Sequence, residues 1–138
     1  MFLFIALTAC TSTPHCEGLS YTDFSQTREL KGTVIPLDTA LFRYPFRIRI
    51  QGDKAVVMDL HGTDYFCHAF SYPEFHYISS FGKRGESPDE QISVENIRWY
   101  GESLWSLDAN KSELTRFGCD LSGDSLFRQE AVNLDKDI

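Results

Sequence analysis

The side chains of this 138-residue chain that could carry chemistry are a group of histidines and a pair of aspartates. His61, His68 and His76 are seven and eight residues apart, which matches no His-x-x-x-His zinc pattern. No G-x-S-x-G sequence, which would mark the nucleophile of an α/β-hydrolase, is present. We therefore expect no catalytic residues, no metal site and no cofactor.

Asp59 and Asp108 each end an apolar run and precede a turn. One interpretation makes them metal ligands or general acids. The other makes them structural, because an aspartate at a turn accepts hydrogen bonds from nearby backbone N–H groups. The same acid recurs in both halves of the chain, whereas catalysis rarely needs one acid in every repeat. We therefore favour the structural role.

These aspartates belong to a longer repeat. Residues 48–59 read IRIQGDKAVVMD and residues 97–108 read IRWYGESLWSLD, and they align without a gap at an offset of 49. The identical pairs are Ile48 and Ile97, Arg49 and Arg98, Gly52 and Gly101, and Asp59 and Asp108. A period of this size is typical of repeat architectures built from one supersecondary unit.

The composition fits one domain with a packed core. Hydrophobic residues make up 42% and aromatic residues 14%, a richness in rings that favours strands over helices. The net charge is −7 and no basic run occurs, so the cationic surface that nucleic acids require is absent from the sequence. Anionic lipid headgroups are disfavoured as partners for the same reason.

Short strand-like pieces separated by turn residues make up most of the chain. PFRIRI, KAVVMDL, YFCHAF and HYISSF form a first set, and ENIRWY, SLWSLD, ELTRFG and SLFRQEAV form a second. Four short strands at hairpin spacing predict an antiparallel meander. The fold is therefore predicted to be all-β. Because the units repeat at 45–94 and 95–138, we favour propeller blades over a sandwich or a barrel.

The N-terminal residues differ in composition from the rest of the chain and are predicted to form a separate segment. Residues 1–10, MFLFIALTAC, are apolar and end like a bacterial lipobox, which would make Cys10 the lipidated first residue of the mature protein. Residues 11–30 would then be a tether and entry segment, and the protein would lie in the cell envelope. Since no Lys or Arg precedes Arg28, the alternative is an apolar N-terminus without an anchor. The run is shorter than the roughly 20 residues that span a bilayer.

Three further cysteines follow Cys10, namely Cys16, Cys67 and Cys119. Their spacing matches no metal pattern. Cys67 and Cys119 lie in segments that are predicted to be strands, so we interpret both as small buried hydrophobic residues and not as a disulfide.

The stretch FGKRGESPDE at 81–90 resembles the FG-x-x-G-x-x-P-x-E signature between blades of six-bladed propeller lipoproteins of Bacteroidota, which are TolB-like and NHL-related. The matching residues are Phe81, Gly82, Gly85, Pro88 and Glu90. The resemblance implies structural turn roles for Gly82, Gly85 and Pro88. A closed propeller takes about four to eight blades. Residues 31–138 hold about two and part of a third, so we expect an incomplete propeller, and the chain to be an N-terminal fragment.

The function expected from these features is binding. We expect a membrane-anchored, extracytoplasmic scaffold that binds protein or glycan without intrinsic catalysis. Trp99, Tyr100, Arg49 and Arg98 are the candidate binding residues, although buried rings and arginines paired with acids between blades would explain them as well. The alternatives are a propeller enzyme of the lactonase or lyase type, and a purely structural interaction fragment.

Overall fold

The computed structural model describes residues 26–36, 42–120 and 125–135. The chain divides into two compact units, Met1–Thr33 and Val34–Ile138. In the first unit, residues 26–33 are exposed and have no regular secondary structure. The predicted signal segment 1–10, including Cys10, and the first part of the predicted tether lie outside the described residues. Both sheets belong to the second unit.

The all-β prediction is confirmed, since the described residues contain eight strands and no helix. They form two antiparallel four-stranded sheets with the strands in sequence order, which we call blade 1 and blade 2. Blade 1 consists of β1 (Pro45–Gln51), β2 (Lys54–Asp59), β3 (Tyr65–Ser71) and β4 (Tyr77–Lys83). Blade 2 consists of β5 (Asn96–Tyr100), β6 (Ser103–Asp108), β7 (Glu113–Cys119) and β8 (Leu126–Asn133).

The 49-residue repeat extends to the strand register. Ile48 pairs with Val57 in blade 1, and 49 positions later Ile97 pairs with Ser106 in blade 2. The last two strands repeat in the same way, with Cys67 opposite Phe81 and Arg116 opposite Glu130. The pairing of the second strand with the third differs by two residues, since Met58 lies opposite Cys67 whereas Leu107 lies opposite Leu114. The two blades are therefore equivalent residue for residue in their first two strands.

The hydrophobic core lies between the two blades. Val56 and Met58 of β2 belong to one buried cluster with Ile97 and Leu104 of blade 2. The rings of Phe81 and Phe117 meet across the same interface, with their centroids 4.9 Å apart. Each such side chain contributes about 1.5–3 kcal/mol when it is fully buried. Packing of blade on blade is therefore the main source of stability in this unit.

Polar contacts join the first strands of the two blades. The Nε atom of Arg49 donates to the carbonyl oxygen of Ile97 at 3.2 Å. Arg47 donates to the side-chain oxygen of Asn96, and Gln51 donates to the carbonyl of Gly101. Because β5 is an edge strand, a backbone carbonyl such as that of Ile97 can accept a bond from outside the sheet.

Two buried carboxylates hold the entry segment of each blade. Asp59 is fully buried, and it accepts hydrogen bonds from the backbone N–H groups of Arg43 and Tyr44, both at 2.7 Å. A third bond comes from the N–H of His61, at 3.2 Å. These donors include two residues just before β1, so the carboxylate fixes the point at which the chain enters the blade.

Asp108 repeats this arrangement in blade 2. It is also fully buried and accepts bonds from the backbone N–H groups of Ile92 at 2.7 Å and Ser93 at 3.3 Å. Ile92 and Ser93 lie 49 positions after Arg43 and Tyr44. The Ser93 hydroxyl and the N–H of Lys111 also donate to this carboxylate. Asp59 and Asp108 therefore form two equivalent carboxylate clasps.

Several other sequence expectations fall within the blades. Cys67 is buried and Cys119 partly buried, and neither forms a disulfide. Burial raises the pKa of the Cys67 thiol far above its ordinary value. His68 donates to or accepts from the Ser80 hydroxyl at 2.8 Å, and burial lowers the pKa of its imidazole. Within the described part of the chain, no helix is long and apolar enough to cross a membrane.

The clasp predicts that two aspartates of blade 1 contribute very differently to the free energy of unfolding. Asp59→Asn should lower the free energy of unfolding by about 2–4 kcal/mol, because a buried amide NH₂ would face N–H donors and one hydrogen bond to a charged group is worth about 1.5–3 kcal/mol. Asp53→Asn, in an exposed turn, should change it by less than about 0.5 kcal/mol. Urea denaturation of both variants measures the difference. Equal effects at the two positions would contradict the clasp.

Candidate functional site

A cleft of about 610 Å³ opens between the two blades at the end where the β1–β2 and β5–β6 turns lie. One wall is the β1–β2 turn of blade 1, and the other is the face of blade 2 that points toward blade 1. Its lining residues are Gln51, Gly52, Asp53, Lys54, Trp99, Glu102, Ser103, Gly118, Cys119, Asp120 and Gln129. We call this the interblade cleft. It combines one aromatic ring with amide, hydroxyl, carboxylate and ammonium groups.

Two short turns form the mouth of the interblade cleft. Gly52-Asp53 joins β1 to β2 and Gly101-Glu102 joins β5 to β6, and the two glycines have φ values of 58° and 57°. Two-residue hairpins with a glycine in the first position match the twist of the flanking strands. The Gln51 side chain bonds to the Gly101 carbonyl and so links the two turns.

Trp99 supplies the apolar surface of the interblade cleft. It is partly buried and packs against the core cluster. Its Nε1 atom is shielded from solvent and has no hydrogen-bond partner among the described residues. A buried indole N–H usually finds a partner. Because this N–H group is shielded from solvent, Trp99 contributes its ring surface to the cleft and not its N–H group.

The charges of the interblade cleft are concentrated at its rim. Lys54 forms an ion pair with Asp53 at 3.2 Å, so its positive charge is already compensated. Glu102 is exposed on the opposite turn. Asp120 accepts a hydrogen bond from the N–H of Ser125 at 3.3 Å. The rim is therefore acidic on balance and disfavours anionic ligands.

The four predicted binding residues do not form one site. Trp99 lines the interblade cleft, whereas Tyr100 is 80% exposed and lies with Arg98 on the opposite face of blade 2. Arg49 contacts the Ile97 carbonyl between the blades. Successive residues of a strand point to opposite faces, and this alternation separates Trp99 from Tyr100.

Among the cleft residues that the sequence analysis did not identify, two lie on the last two strands of blade 2. Gln129 and Gly118 lie on β8 and β7, and a Cβ atom added to Gly118 would meet the Gln129 amide nitrogen at 2.0 Å. The missing side chain of Gly118 therefore leaves room for the Gln129 amide. No short motif identifies these residues, because they reach the cleft only through the strand pairing.

The loop 84–91 connects the blades and is held by side chains from both sides. Lys83 pairs with Glu90 at 2.6 Å, and this contact lowers the pKa of the Glu90 carboxyl and raises that of the Lys83 ammonium. From blade 2, Lys111 donates to the carbonyl of Ser87 at 2.7 Å and Arg128 to the carbonyl of Pro88 at 2.9 Å. Pro88 thus lies at a contact between the loop and blade 2.

Two glycines at this end of blade 1 occupy tight positions, Gly85 in the loop and Gly82 within β4, so Gly82 does not lie in the turn that the sequence predicted. Gly82 has a φ of 67° and lies beside the buried side chain of Gln91. A Cβ atom added to Gly85 would meet a carboxylate oxygen of Glu90 at 1.9 Å. The absence of a side chain at Gly85 therefore lets the Glu90 carboxylate lie against the loop backbone.

The described residues contain no group of three or more His, Cys, Asp or Glu side chains that could hold a metal ion. His61 lies beside the Tyr44 ring, with centroids 5.4 Å apart, whereas His68 contacts Phe42 and Ser80. His76 uses its backbone N–H to bond the Ser71 hydroxyl in the β3–β4 turn. The three histidines are therefore spread over different contacts of blade 1.

A family model described as TolB-like 6-blade propeller-like matches residues 23–138. No curated protein and no solved structure matches the chain.

The loop contact can be tested through the acidity of one carboxyl group. Gly85→Ala should displace the Glu90 carboxylate from Lys83, so the Glu90 pKa should rise toward its ordinary value. Carboxyl chemical shifts followed by NMR during an acid titration measure this. Gly32→Ala, where an added methyl group meets nothing within 4 Å, is the control and should leave the titration unchanged. A Glu90 pKa that stays low in Gly85→Ala would contradict the contact.

Proposed function

The chain belongs to the TolB-like 6-blade propeller-like family, and from this premise we propose that it is an extracytoplasmic binding scaffold whose interblade cleft holds a glycan. The observation that carries the proposal is the lining of the cleft, in which the Trp99 ring lies among amide and hydroxyl side chains. Binding sites typically combine apolar surface with a few placed polar groups. A sugar ring offers both an apolar face and hydroxyl groups to such a lining.

The charge of the cleft supports a neutral, hydroxyl-rich ligand. Carboxylates at Asp53 and Glu102 accept hydrogen bonds from hydroxyl groups, and the amides of Gln51 and Gln129 both donate and accept. The chain carries a net charge of −7, which opposes binding of polyanions. A segment of another protein that presents hydroxyl and amide groups is the second candidate ligand.

The proposal assigns no turnover to the cleft. The scaffold would hold its ligand through loops and strand ends, as rigid folds commonly do. A lactonase or lyase activity is the alternative. It would require side chains that activate water or abstract a proton near the bound ligand. Loss of such an activity in an Asp53→Asn or Glu102→Gln variant would favour the enzyme.

Binding should depend on Trp99 and not on its neighbour. We expect Trp99→Ala to weaken binding of a matching oligosaccharide at least tenfold, as measured by isothermal titration calorimetry across a panel of neutral oligosaccharides. Tyr100→Ala, on the opposite face of the same strand, is the matched control and should bind normally. Because Trp99 also contacts the core, Ser103→Tyr provides a second variant that fills the cleft from its rim. No binding by the wild-type chain, or equal loss in Tyr100→Ala, would contradict the proposal.

The location in the cell envelope rests on the apolar segment 1–10. We propose that Cys10 carries a lipid anchor, because the segment ends in the lipobox-like Leu-Thr-Ala-Cys. In a host with lipoprotein maturation enzymes, the wild-type chain should incorporate a fatty-acid analogue and partition into detergent. Cys10→Ser should abolish both, whereas Cys16→Ser should retain them. Labelling that persists in Cys10→Ser, or an unlabelled wild type, would contradict the anchor.

A further inference from the structure

Three aromatic side chains lie together where the chain enters blade 1. Tyr44 directly precedes β1, Phe46 is the second residue of β1, and His61 lies in the β2–β3 turn. The Tyr44 and Phe46 rings are nearly parallel, with centroids 6.2 Å apart, and the His61 ring lies 5.4 Å from that of Tyr44. All three residues are exposed, Tyr44 by 50% and Phe46 by 49%. We call them the aromatic surface.

The 49-residue repeat shows that the fold does not require rings at these positions. Blade 2 has Ser93, Glu95 and Asn110 at the equivalent places. The Asn110 amide donates to the Ser93 hydroxyl at 2.9 Å, and this bond joins the same two points of the blade as the contact between Tyr44 and His61. The carboxylate clasp forms in both blades. Since polar residues suffice for folding in blade 2, packing does not account for the exposed rings of blade 1.

The aromatic surface stays accessible when a blade packs beside it. Phe46 also lines a groove on the face of blade 1 that points away from blade 2, where a six-bladed architecture places a further blade. The corresponding face of blade 2 is covered by blade 1. Even there, Glu95 and Asn110 are exposed and Ser93 is only partly buried. The equivalent positions Phe46 and His61 therefore remain open to solvent with a neighbouring blade in place.

Two arginines give the aromatic surface a positive charge. Arg43 directly precedes it in the sequence, and the Arg43 guanidinium has no partner among the described residues, because the bond to Asp59 uses the backbone N–H. The Arg47 guanidinium carbon lies 5.4 Å from the centroid of the Phe46 ring. Arg47 donates to the Asn96 side chain and retains further N–H donors. This surface therefore favours an anion, in contrast to the acidic rim of the interblade cleft.

We propose that the aromatic surface binds an acidic sugar, that is, a sugar ring that carries a carboxylate. Contiguous exposed apolar surface marks interaction sites on soluble proteins. The flat rings of Tyr44 and Phe46 suit the C–H face of a sugar ring, a face that a simple peptide carboxylate lacks. The guanidinium groups of Arg43 and Arg47 match the geometry of the carboxylate. The imidazole of His61 supplies an N–H donor for a hydroxyl group.

The net charge of the chain limits the size of the ligand. At −7, it opposes the approach of long polyanions such as nucleic acids, so we expect a short oligosaccharide with few carboxylates. The site is separate from the interblade cleft. Tyr44 and His61 lie beside the first residue of β1 and the last residue of β2, whereas the β1–β2 turn at the other end of these strands lines the cleft.

NMR titration of the full chain with a trimer of galacturonic acid, and with the methyl ester of that trimer, tests the proposal. The wild type should bind the acidic trimer. It should bind the neutral ester about tenfold more weakly, because hydrogen bonds to a charged group are lost. The acidic trimer should shift the ring signals of Tyr44 and His61 and leave the indole signals of Trp99 unchanged.

The blade 2 residues supply a variant that the fold already accommodates. Tyr44→Ser together with His61→Asn should form the polar pair seen in blade 2 and keep the wild-type stability, yet bind the acidic trimer roughly tenfold more weakly. Arg43→Gln should also weaken binding, while its backbone bond to the clasp remains. Arg98→Gln, an exposed arginine of blade 2, is the matched control and should bind as the wild type does.

Urea denaturation verifies the stability of each variant. Failure of the wild type to bind the acidic trimer, equal binding of its methyl ester, or an equal loss in Arg98→Gln would overturn the proposal. A trimer of glutamic acid that binds as tightly would overturn it in favour of an acidic peptide. Trp99→Ala should still bind the acidic trimer, so the failure of this proposal and the failure of the proposed glycan function of the interblade cleft are distinguishable.

Discussion

The structure depends on two buried carboxylates, Asp59 and Asp108, whose hydrogen-bond donors among the described residues are mainly backbone N–H groups. A buried charge is costly unless hydrogen bonds replace its hydration, and Asp59 and Asp108 obtain these bonds from the segment that leads into each blade. Because the same donors recur 49 residues apart, each blade begins at a defined point relative to its second strand. The lead-in segment, the first strand and the interface to the neighbouring blade are fixed together.

The position of the interblade cleft follows from this constraint. With its entry fixed by Asp108, β5 presents Ile97 and Trp99 to blade 1, and the Gly52 and Gly101 turns meet at one end of the pair. The loop 84–91 holds the opposite end, where cations from blade 2 bind its carbonyl groups. The cleft is therefore bounded by two blades whose mutual position is fixed at both ends.

Much of the fold could be predicted from the sequence, because a period of two residues and well-placed turn residues are local signals. SLWSLD coincides with β6, and PFRIRI with β1 except for its last residue. The cleft could not be predicted in full, since Gln129 reaches it only through the pairing of β8 with β7. The sequence shows that Trp99 and Tyr100 point to opposite sides of their strand. It does not show which of the two residues points toward blade 1. Arg49 was expected to bind either a ligand or an acidic side chain, and its partner is a carbonyl on the edge strand β5.

Hydrogen exchange of individual backbone amides, followed by NMR on the full chain, tests the clasp most directly. Tyr44 and Ile92 lie outside the strands, so their amides would exchange rapidly in the absence of the carboxylates. The clasp predicts that both are protected to the same extent as the amides of Val56 and Leu104 in the central strands. Exchange of Tyr44 and Ile92 at the rate of an unstructured segment, while Val56 and Leu104 remain protected, would contradict it.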